Sequence, residues 1–420
     1  MTRQTVAVGA FLSVCTCAYP QELGHPDASR AAASGRTASK RPGFGRGPDI
    51  IISTVNSVHS FGDDNGVSAF STGYGVCNIG DAAVEYDGNT NRHPVITESM
   101  YRLEAGRFEQ IGILWTYHTF FATRERVCGP CLYPEGVPLG IVLGVGCSSW
   151  EPGWITGVQH WLGPRSQVNA HTGEFRYPYN APPSESVISR RLQVHNADLD
   201  PDMNTGARYF AEVLIVAPDD AAAGNAANNA SYREVVVTPY DGAACRIEYC
   251  ADEVGSTEAK QPAIRAWSMS NPDVVETEVR VPGEGRFVLA AAASDLGDGW
   301  WHYEYALYNM NSDRSARVVS VPVPPEVPVE NVGFHAVDYH SGEPYDGTDW
   351  PVAVDDLGVT WATETFDDNP NANALRWGTL YNFRFDTDAP PAPAELTITL
   401  FKPGTPATVT AASIGPGPPL

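Results

Sequence analysis

The stretch Trp301-His302-Tyr303-Glu304-Tyr305-Ala306-Leu307-Tyr308 decides the fold class, because large apolar side chains alternate along it with a period of two. That period is typical of a β-strand, whereas a helix would repeat its apolar positions every three or four residues. Comparable runs precede and follow it, and turn sequences such as Gly297-Asp298-Gly299 separate them. No segment of the sequence has a sustained amphipathic helical period. The sequence therefore predicts an all-β protein, with a sandwich of two sheets favoured over a single closed sheet.

The strand signals form two groups on either side of Ser270-Asn271-Pro272. After this point they are regularly spaced, as expected for one sandwich. Before it the chain is richer in Pro, Trp and Cys and has long loops, where a binding site is expected. We predict a signal peptide at residues 1–20, a flexible linker at 21–48, an N-terminal β-rich domain at 49–270, a C-terminal β-sandwich at 271–402 and a flexible tail at 403–420.

The N-terminus has the pattern of a secretory signal peptide. Arg3 supplies a short positive region, Val6 to Val14 an apolar core and Cys15 to Ala18 a small-residue exit. The apolar run is too short to cross a bilayer as a helix, and no later segment has the length of a transmembrane span. A lipoprotein signal is the alternative, although Val14 stands where Gly or Ala normally precedes the lipidated cysteine. We expect a secreted or cell-surface protein.

The composition, with a formal net charge of -23 and lysine only at positions 40, 260 and 402, restricts the classes of partner. Nucleic-acid binding requires a basic surface, and so does electrostatic docking on anionic lipid. The charge disfavours both. Cations, neutral glycans and other polar polymers remain compatible with it.

Six cysteines follow the predicted signal peptide, an even number that is typical of disulfide pairing in an oxidising compartment. They are Cys77, Cys128, Cys131, Cys147, Cys245 and Cys250. The last two are expected to bridge a hairpin. The first four can pair among themselves in more than one way, so their connectivity stays open.

The segment Cys128-Gly129-Pro130-Cys131 matches the redox motif of thioredoxins letter for letter. In that fold the first cysteine opens a helix whose N-terminus lowers the pKa of the thiol. Pro134 and Pro138 follow at once and forbid such a helix, so structural disulfides are favoured over a redox role. A zinc site that adds Cys77 and Cys147 is a further alternative.

Histidines supply the most specific candidate metal ligands. His335, Asp338 and His340 lie close together in the sequence, and mixed nitrogen and oxygen ligands suit a transition metal such as Zn, Cu or Fe. A regular strand would turn the two histidines to opposite faces, so a shared site needs a bend after Asp338. The further candidates to join them in space are His93, His118 and His195. The alternative is that each is a hydrogen-bonded loop histidine.

An acidic loop offers a second cation site, because alternating oxygen ligands are what calcium prefers. Its ligands would be Asp198, Asp200, Asp202 and Asn204. The loop lacks the Gly and terminal Glu of an EF-hand, and the alternative is a solvated acidic loop.

Tryptophans cluster at Trp150, Trp154 and Trp161 and recur near the C-terminus. Exposed tryptophans on a sandwich can stack on sugar rings, but most aromatic side chains in β-proteins belong to the core. The core is therefore the default expectation for all of them.

Several stretches together resemble a group of exported bacterial proteins of uncharacterised activity that carry a C-terminal β-sandwich module. The stretches are Asn91 to Ile96, Tyr101 to Leu103 with Gly106 to Gly112, Leu192 to Asn196, Trp301 to Leu307, His335 to Trp350 and Asn373 to Phe383. The resemblance runs from about residue 50 to 400 and implies export and a β-sandwich. It implies no activity and no site residue.

Three functions remain compatible with the sequence. The first is a secreted or cell-surface binding protein for an extracellular polymer or glycan, with a transition metal or calcium as an optional bound ion. The second is a secreted metal-dependent enzyme built on the histidines. The third is a self-assembling structural protein of an envelope or matrix. Convergence of the histidines would favour the second.

Overall fold

The computed structural model describes residues 46–118, 121–158, 161–181, 186–239 and 249–418. Within these ranges the chain is an all-β protein, as predicted, with strands running from Ile50 to Pro416. All the described residues belong to one compact unit. The predicted signal peptide lies outside the described residues, and so does the predicted linker up to residue 45. None of the helices in the described ranges has the length and apolar character needed to cross a membrane.

The first half of the chain supplies thirteen strands and the short helices. The strands are β1 (Ile50–Asp64), β2 (Val67–Asn78), β3 (Val84–Glu85), β4 (Val95–Glu104), β5 (Arg107–Ile113), β6 (Thr116–His118), β7 (Val142–Leu143), β8 (Ser148–Glu151), β9 (Leu162–Gly163), β10 (Leu192–His195), β11 (Arg208–Val216), β12 (Ala230–Pro239) and β13 (Tyr249–Glu258). The helices are α1 (Gly153–Thr156), α2 (Asn196–Leu199), α3 (Pro218–Ala223) and α4 (Arg265–Ser270), with a 3-10 turn at Arg165–Gln167.

Eleven of these strands form one curled antiparallel sheet, in the order β1-β2-β10-β5-β4-β11-β12-β13 with β6, β8 and β9 attached at its side. Its first strand, β1, approaches the last two strands, β12 and β13, and side chains of both hydrogen-bond to it. The backbone N–H of Val55 donates to Thr257 Oγ1 at 2.9 Å, and Arg233 donates to the Val55 carbonyl at 3.1 Å. The sheet is therefore almost closed.

The second half of the chain forms two five-stranded antiparallel sheets. One has the order β14 (Val275–Arg280), β15 (Arg286–Gly297), β16 (Trp300–Asn309), β21 (Thr379–Thr387) and β18 (Val329–Ala336). The other has the order β19 (Val352–Asp355), β20 (Gly358–Ala362), β17 (Ala316–Val321), β22 (Pro391–Leu400) and β23 (Thr408–Pro416). Their facing side chains form a shared core, which is the predicted sandwich.

Strand β16, which contains the alternating stretch, is covered on both faces. Tyr303, Tyr305 and Leu307 belong to the core between the two sandwich sheets. Ala306 and Tyr308 belong to a second core that they share with residues of the curled sheet. The molecule therefore has three layers. The chain leaves the curled sheet at Glu258 and enters the sandwich at Val275, so the predicted boundary at residue 270 lies between the two. That the two parts are separate domains stays a prediction.

The predicted flexible tail at 403–420 is wrong for nine of its eighteen residues. Thr408–Pro416 form β23, which pairs with residues 391–399 of β22. Ala411 and Ser413 are buried on alternate positions of this strand. The Gly and Pro residues near the end of the sequence are typical of disordered segments. Strand β23 is nevertheless ordered because β22 lies beside it and pairs with its backbone.

Candidate binding site

Two disulfides attach the loop after β6 to the curled sheet. They join Cys77 to Cys128 and Cys131 to Cys147. The two cysteines of the thioredoxin-like motif thus have different partners, so that motif is not a redox pair. The same bonds occupy the four sulfurs considered for zinc. The predicted pair Cys245–Cys250 lies outside the residues whose side chains the structure describes.

Strand β8 lies next to this loop and pairs with β2, so that Trp150 stands opposite Gly75. Residues paired in this way share one face of the sheet. Gly75 has no side chain there, and a Cβ atom at this position would lie only 2.6 Å from Thr54 Oγ1. The missing side chain lets hydroxyl groups of the neighbouring strand β1 lie close to the indole of Trp150.

A cleft of about 230 Å³ opens at this place. Its polar lining comes from Ser53, Thr54, Asn56, Glu125 and Ser149, and Trp150 forms one of its walls. Hydroxyl, amide and carboxylate groups can each hydrogen-bond to a hydroxylated ligand. No lysine or arginine is among the residues that line it. The cleft suits a neutral or cationic ligand with many hydroxyl groups.

Two tryptophans of this part of the sequence are exposed, which contradicts the expectation that they belong to the core. Trp150 is 43% exposed, and Trp154 in helix α1 is 57% exposed. The expectation is confirmed for Trp350, Trp361 and Trp377, which are all buried. The third tryptophan of the same region, at position 161, is partly buried against the core. Two indole surfaces are therefore available to a ligand.

Glu151 lies on the opposite face of β8 from Trp150, since successive side chains of a strand alternate. Burial raises the pKa of Glu151 to about 7, and the carboxylate of Glu125 adds to that rise. Near neutral pH this carboxyl therefore carries a proton for much of the time. The charge of this carboxyl, on the face of β8 that points away from Trp150, consequently depends on pH.

The six predicted metal ligands do not form one site. His93 and His118 are a buried pair, with Nε2 and Nδ1 3.3 Å apart, and burial lowers the pKa of both rings. His118 also stacks on Tyr179 at 3.7 Å. These contacts are those of neutral rings that hydrogen-bond to each other inside a core.

The remaining ligands are spread over the junction of the three layers. Nε2 of His195 lies 2.9 Å from Asp338 at the surface, and Nε2 of His335 lies 3.2 Å from the Gln110 carbonyl. His340 is buried between backbone carbonyls, and burial lowers its pKa to about 4. Among the described residues, no group of three or more His, Cys, Asp or Glu side chains is arranged to hold a metal ion. Each of the five histidines has a hydrogen-bonding partner within the fold, and His118, His195 and His335 lie on strands rather than in loops.

The acidic loop considered for calcium is folded around an arginine. Arg102 donates to Asp198 Oδ1 at 3.1 Å and also hydrogen-bonds Asn204 Oδ1. Asp200 Oδ1 accepts from the backbone N–H of Asp202 at 2.9 Å, which closes a turn. The acidic residues of the loop indicated a nearby cation. In the structure the guanidinium group of Arg102, on strand β4, is a cation in contact with this loop.

A polar network at the junction of the layers was missed at the level of sequence. His302 Nδ1 lies 2.6 Å from Asp386, and Arg107 donates to Glu304 at 2.9 Å. Nε2 of His302 is 3.4 Å from Glu304 as well, and hydrogen bonding to Glu304 raises the pKa of this histidine. The sequence contains a signal for this network: His302 and Glu304 alternate with the aromatic residues of the opening stretch, so both polar side chains lie on one face of β16.

No protein-family model and no curated protein matches the chain. Among solved structures, 86% of the chain aligns with an Amycolatopsis orientalis exo-chitosanase in complex with PNP-β-D-glucosamine, at 10% identity and a TM-score of 0.16. An exo-β-D-glucosaminidase studied with glucosamine-configured inhibitors aligns over 86% of the chain, at 11% identity and a TM-score of 0.15. The chain spans 26% of each glycosidase.

The B domain of a biofilm-associated protein aligns over 89% of the chain and 88% of its own length, at 8% identity and a TM-score of 0.15. At such TM-scores none of these likenesses carries an argument about fold or function. Membership of the exported bacterial group stays a prediction.

Proposed function

We propose that the protein is a secreted or cell-surface binding protein for an extracellular polymer, specifically a glycan, and that the ligand lies on Trp150 and Trp154. The observation that carries the proposal is the exposed indole of Trp150 at a cleft lined with hydroxyl, amide and carboxylate groups, with the exposed indole of Trp154 four residues further along the chain. An indole ring presents a large rigid apolar face, and a sugar ring presents an apolar face of C–H groups with hydroxyls at its edge. Stacking and hydrogen bonding then act together.

Two further properties support this proposal. The two disulfides agree with an oxidising, extracellular environment. The net charge of -23 disfavours acidic polysaccharides and leaves neutral or amino-bearing glycans as ligands. The proposal needs no metal ion, and the separated histidines give the metal-dependent enzyme no comparable support.

A screen of the full mature chain against immobilised neutral, amino-bearing and acidic glycans tests the proposal. We expect binding to the first or second class, and we expect W150A and W154A each to weaken it by about tenfold, which corresponds to about 1.4 kcal/mol. The matched control is M269A, which removes an exposed side chain (65% exposed) elsewhere on the surface. A wild-type chain that binds no glycan, or equal binding by W150A and M269A, would contradict the proposal.

A further inference from the structure

The edge strand β19 carries apolar side chains that the sandwich does not cover. Val352 pairs with Trp361, and Val354 pairs with Val359, so each valine shares a sheet face with a buried residue of β20. Nevertheless Val352 is 42% exposed and Val354 is 53% exposed.

The opposing sheet is too short to cover them. Its last strand on this side is β18. The indole N–H of Trp361 donates to the Gly333 carbonyl of β18 at 3.1 Å, so β20 already lies over that last strand. The valines of β19 therefore point into the open space beyond it.

The backbone of β19 is also open along its outer side. The Pro351 carbonyl accepts from Ala362 N–H at 3.0 Å. Hydrogen-bonded and non-hydrogen-bonded pairs alternate in an antiparallel ladder, so Ala353 and Asp355 bond towards β20. It follows that Val352 and Val354 turn their N–H and C=O groups outwards, where another strand can pair with them.

The surroundings of this strand are acidic. A cleft of about 440 Å³ begins at Pro351, and its carboxylates are Asp346, Asp349 and Glu364, with no lysine or arginine in its lining. Asp355 and Asp356 follow at the end of the strand. Two copies of β19 paired with each other would bring these carboxylates together, which is unfavourable. A positively charged partner would complement them.

We infer that β19 and its acidic cleft bind an extended, basic segment of another polypeptide, which adds to the sandwich as a sixth strand. Its backbone pairs with Val352 and Val354, its apolar side chains cover these valines and the exposed Leu357, and its lysine or arginine side chains enter the cleft. This mode of recognition derives affinity from the backbone pairing and specificity from the side chains on alternate positions. It is independent of the proposed glycan site.

The test uses the full mature chain and a fluorescein-labelled ten-residue peptide in which valine and lysine alternate. The control peptide has glutamate in place of lysine. Fluorescence anisotropy is expected to show binding of the lysine peptide only, with weaker binding at high salt. In V354P the outward N–H is lost while the ladder to β20 stays intact, so the fold is retained and we expect binding to weaken by at least about tenfold.

The matched variant V354T keeps the N–H and is expected to bind the lysine peptide within about twofold of the wild type. The double variant D349N/E364Q is expected to weaken binding and to reduce its dependence on salt. Equal binding of the two peptides, unchanged binding by a folded V354P, or no binding of either peptide would overturn the inference. A wild-type dimer in sedimentation that V354P abolishes would also overturn it, because the occupant would then be a second copy.

Discussion

Glu212 is one of the residues that join the curled sheet to the sandwich. Its buried carboxyl accepts from Tyr101 at 3.1 Å, from Tyr308 at 2.7 Å and from the Ala263 N–H at 2.6 Å. Burial raises the pKa of Glu212, and these donors oppose that rise. One of the donors, Tyr308, lies on β16 of the sandwich, whereas Glu212 lies on β11 of the curled sheet. This hydrogen bond therefore fixes how the two layers pack against each other.

Removing the hydroxyl of Tyr308 leaves this buried carboxyl with one donor fewer. Y308F is expected to lower the free energy of unfolding by about 1–2 kcal/mol, measured by urea denaturation. Tyr133 is the matched control, since its hydroxyl donates to the Pro138 carbonyl at the surface. Y133F should cost less than about 0.5 kcal/mol. If Y308F and Y133F lowered the free energy of unfolding equally, the hydrogen bond from Tyr308 to Glu212 would have no specific stabilising role.

His302 makes stability depend on pH in a defined direction. Its pKa is raised by hydrogen bonding to Glu304 and, secondarily, to Asp386, so folding takes up a proton at this ring. The stabilisation is fully present below the unfolded pKa of about 6.5 and is lost as the pH rises through the raised value. H302Q is therefore expected to destabilise the chain more at pH 5.5 than at pH 8.5, measured by urea unfolding at about these two values.

His59 provides a control of opposite sign, because partial desolvation and, secondarily, the nearby Arg191 lower its pKa although the residue is exposed. A histidine whose pKa is lowered in the folded state destabilises the fold as the pH falls through its pKa in the unfolded chain. H59Q is therefore expected to be more stable than the wild type at the lower pH, relative to the higher pH. If both variants shifted in the same direction, the assignment to His302 would be wrong.

At the scale of elements, the loop that carries Glu125 depends on its disulfides. The bond Cys77–Cys128 spans 51 residues, and loop-closure entropy assigns it about 4 kcal/mol. Replacing both cysteines by serine is expected to lower the free energy of unfolding by up to this amount and to weaken ligand binding at the cleft. Urea denaturation and the glycan assay measure the two effects. Unchanged values in both would refute the role given to the loop.

Several elements could be predicted because their signals are local. Strand β16 follows from alternation alone, and its neighbouring turns follow from glycine. Strand β23 could not be predicted in the same way, because its pairing with β22 is a tertiary contact. The cleft is a similar case: Trp150 is recognisable in the sequence, but its exposure depends on where β8 joins β2. The contact of Arg102 with the acidic loop could not be predicted either, because Arg102 lies on β4, about a hundred residues earlier in the chain.

At the scale of the molecule, one core spans both halves of the chain. Val95 and Phe210 of the curled sheet pack in the same cluster as Val288 and Leu380 of the sandwich. We therefore expect circular dichroism and tryptophan fluorescence to report one coincident unfolding transition. Two separated transitions would indicate that residues 49–270 and 271–402 fold as independent domains.

The central claim is that the indoles of Trp150 and Trp154 bind a glycan, and affinity electrophoresis in gels containing soluble polysaccharides tests it most directly. The wild-type chain is expected to be retarded by at least one neutral or amino-bearing polysaccharide. The double variant W150A/W154A, folded by circular dichroism, is expected to migrate as it does in a gel without polysaccharide. Equal migration of the two proteins in every gel would contradict the claim.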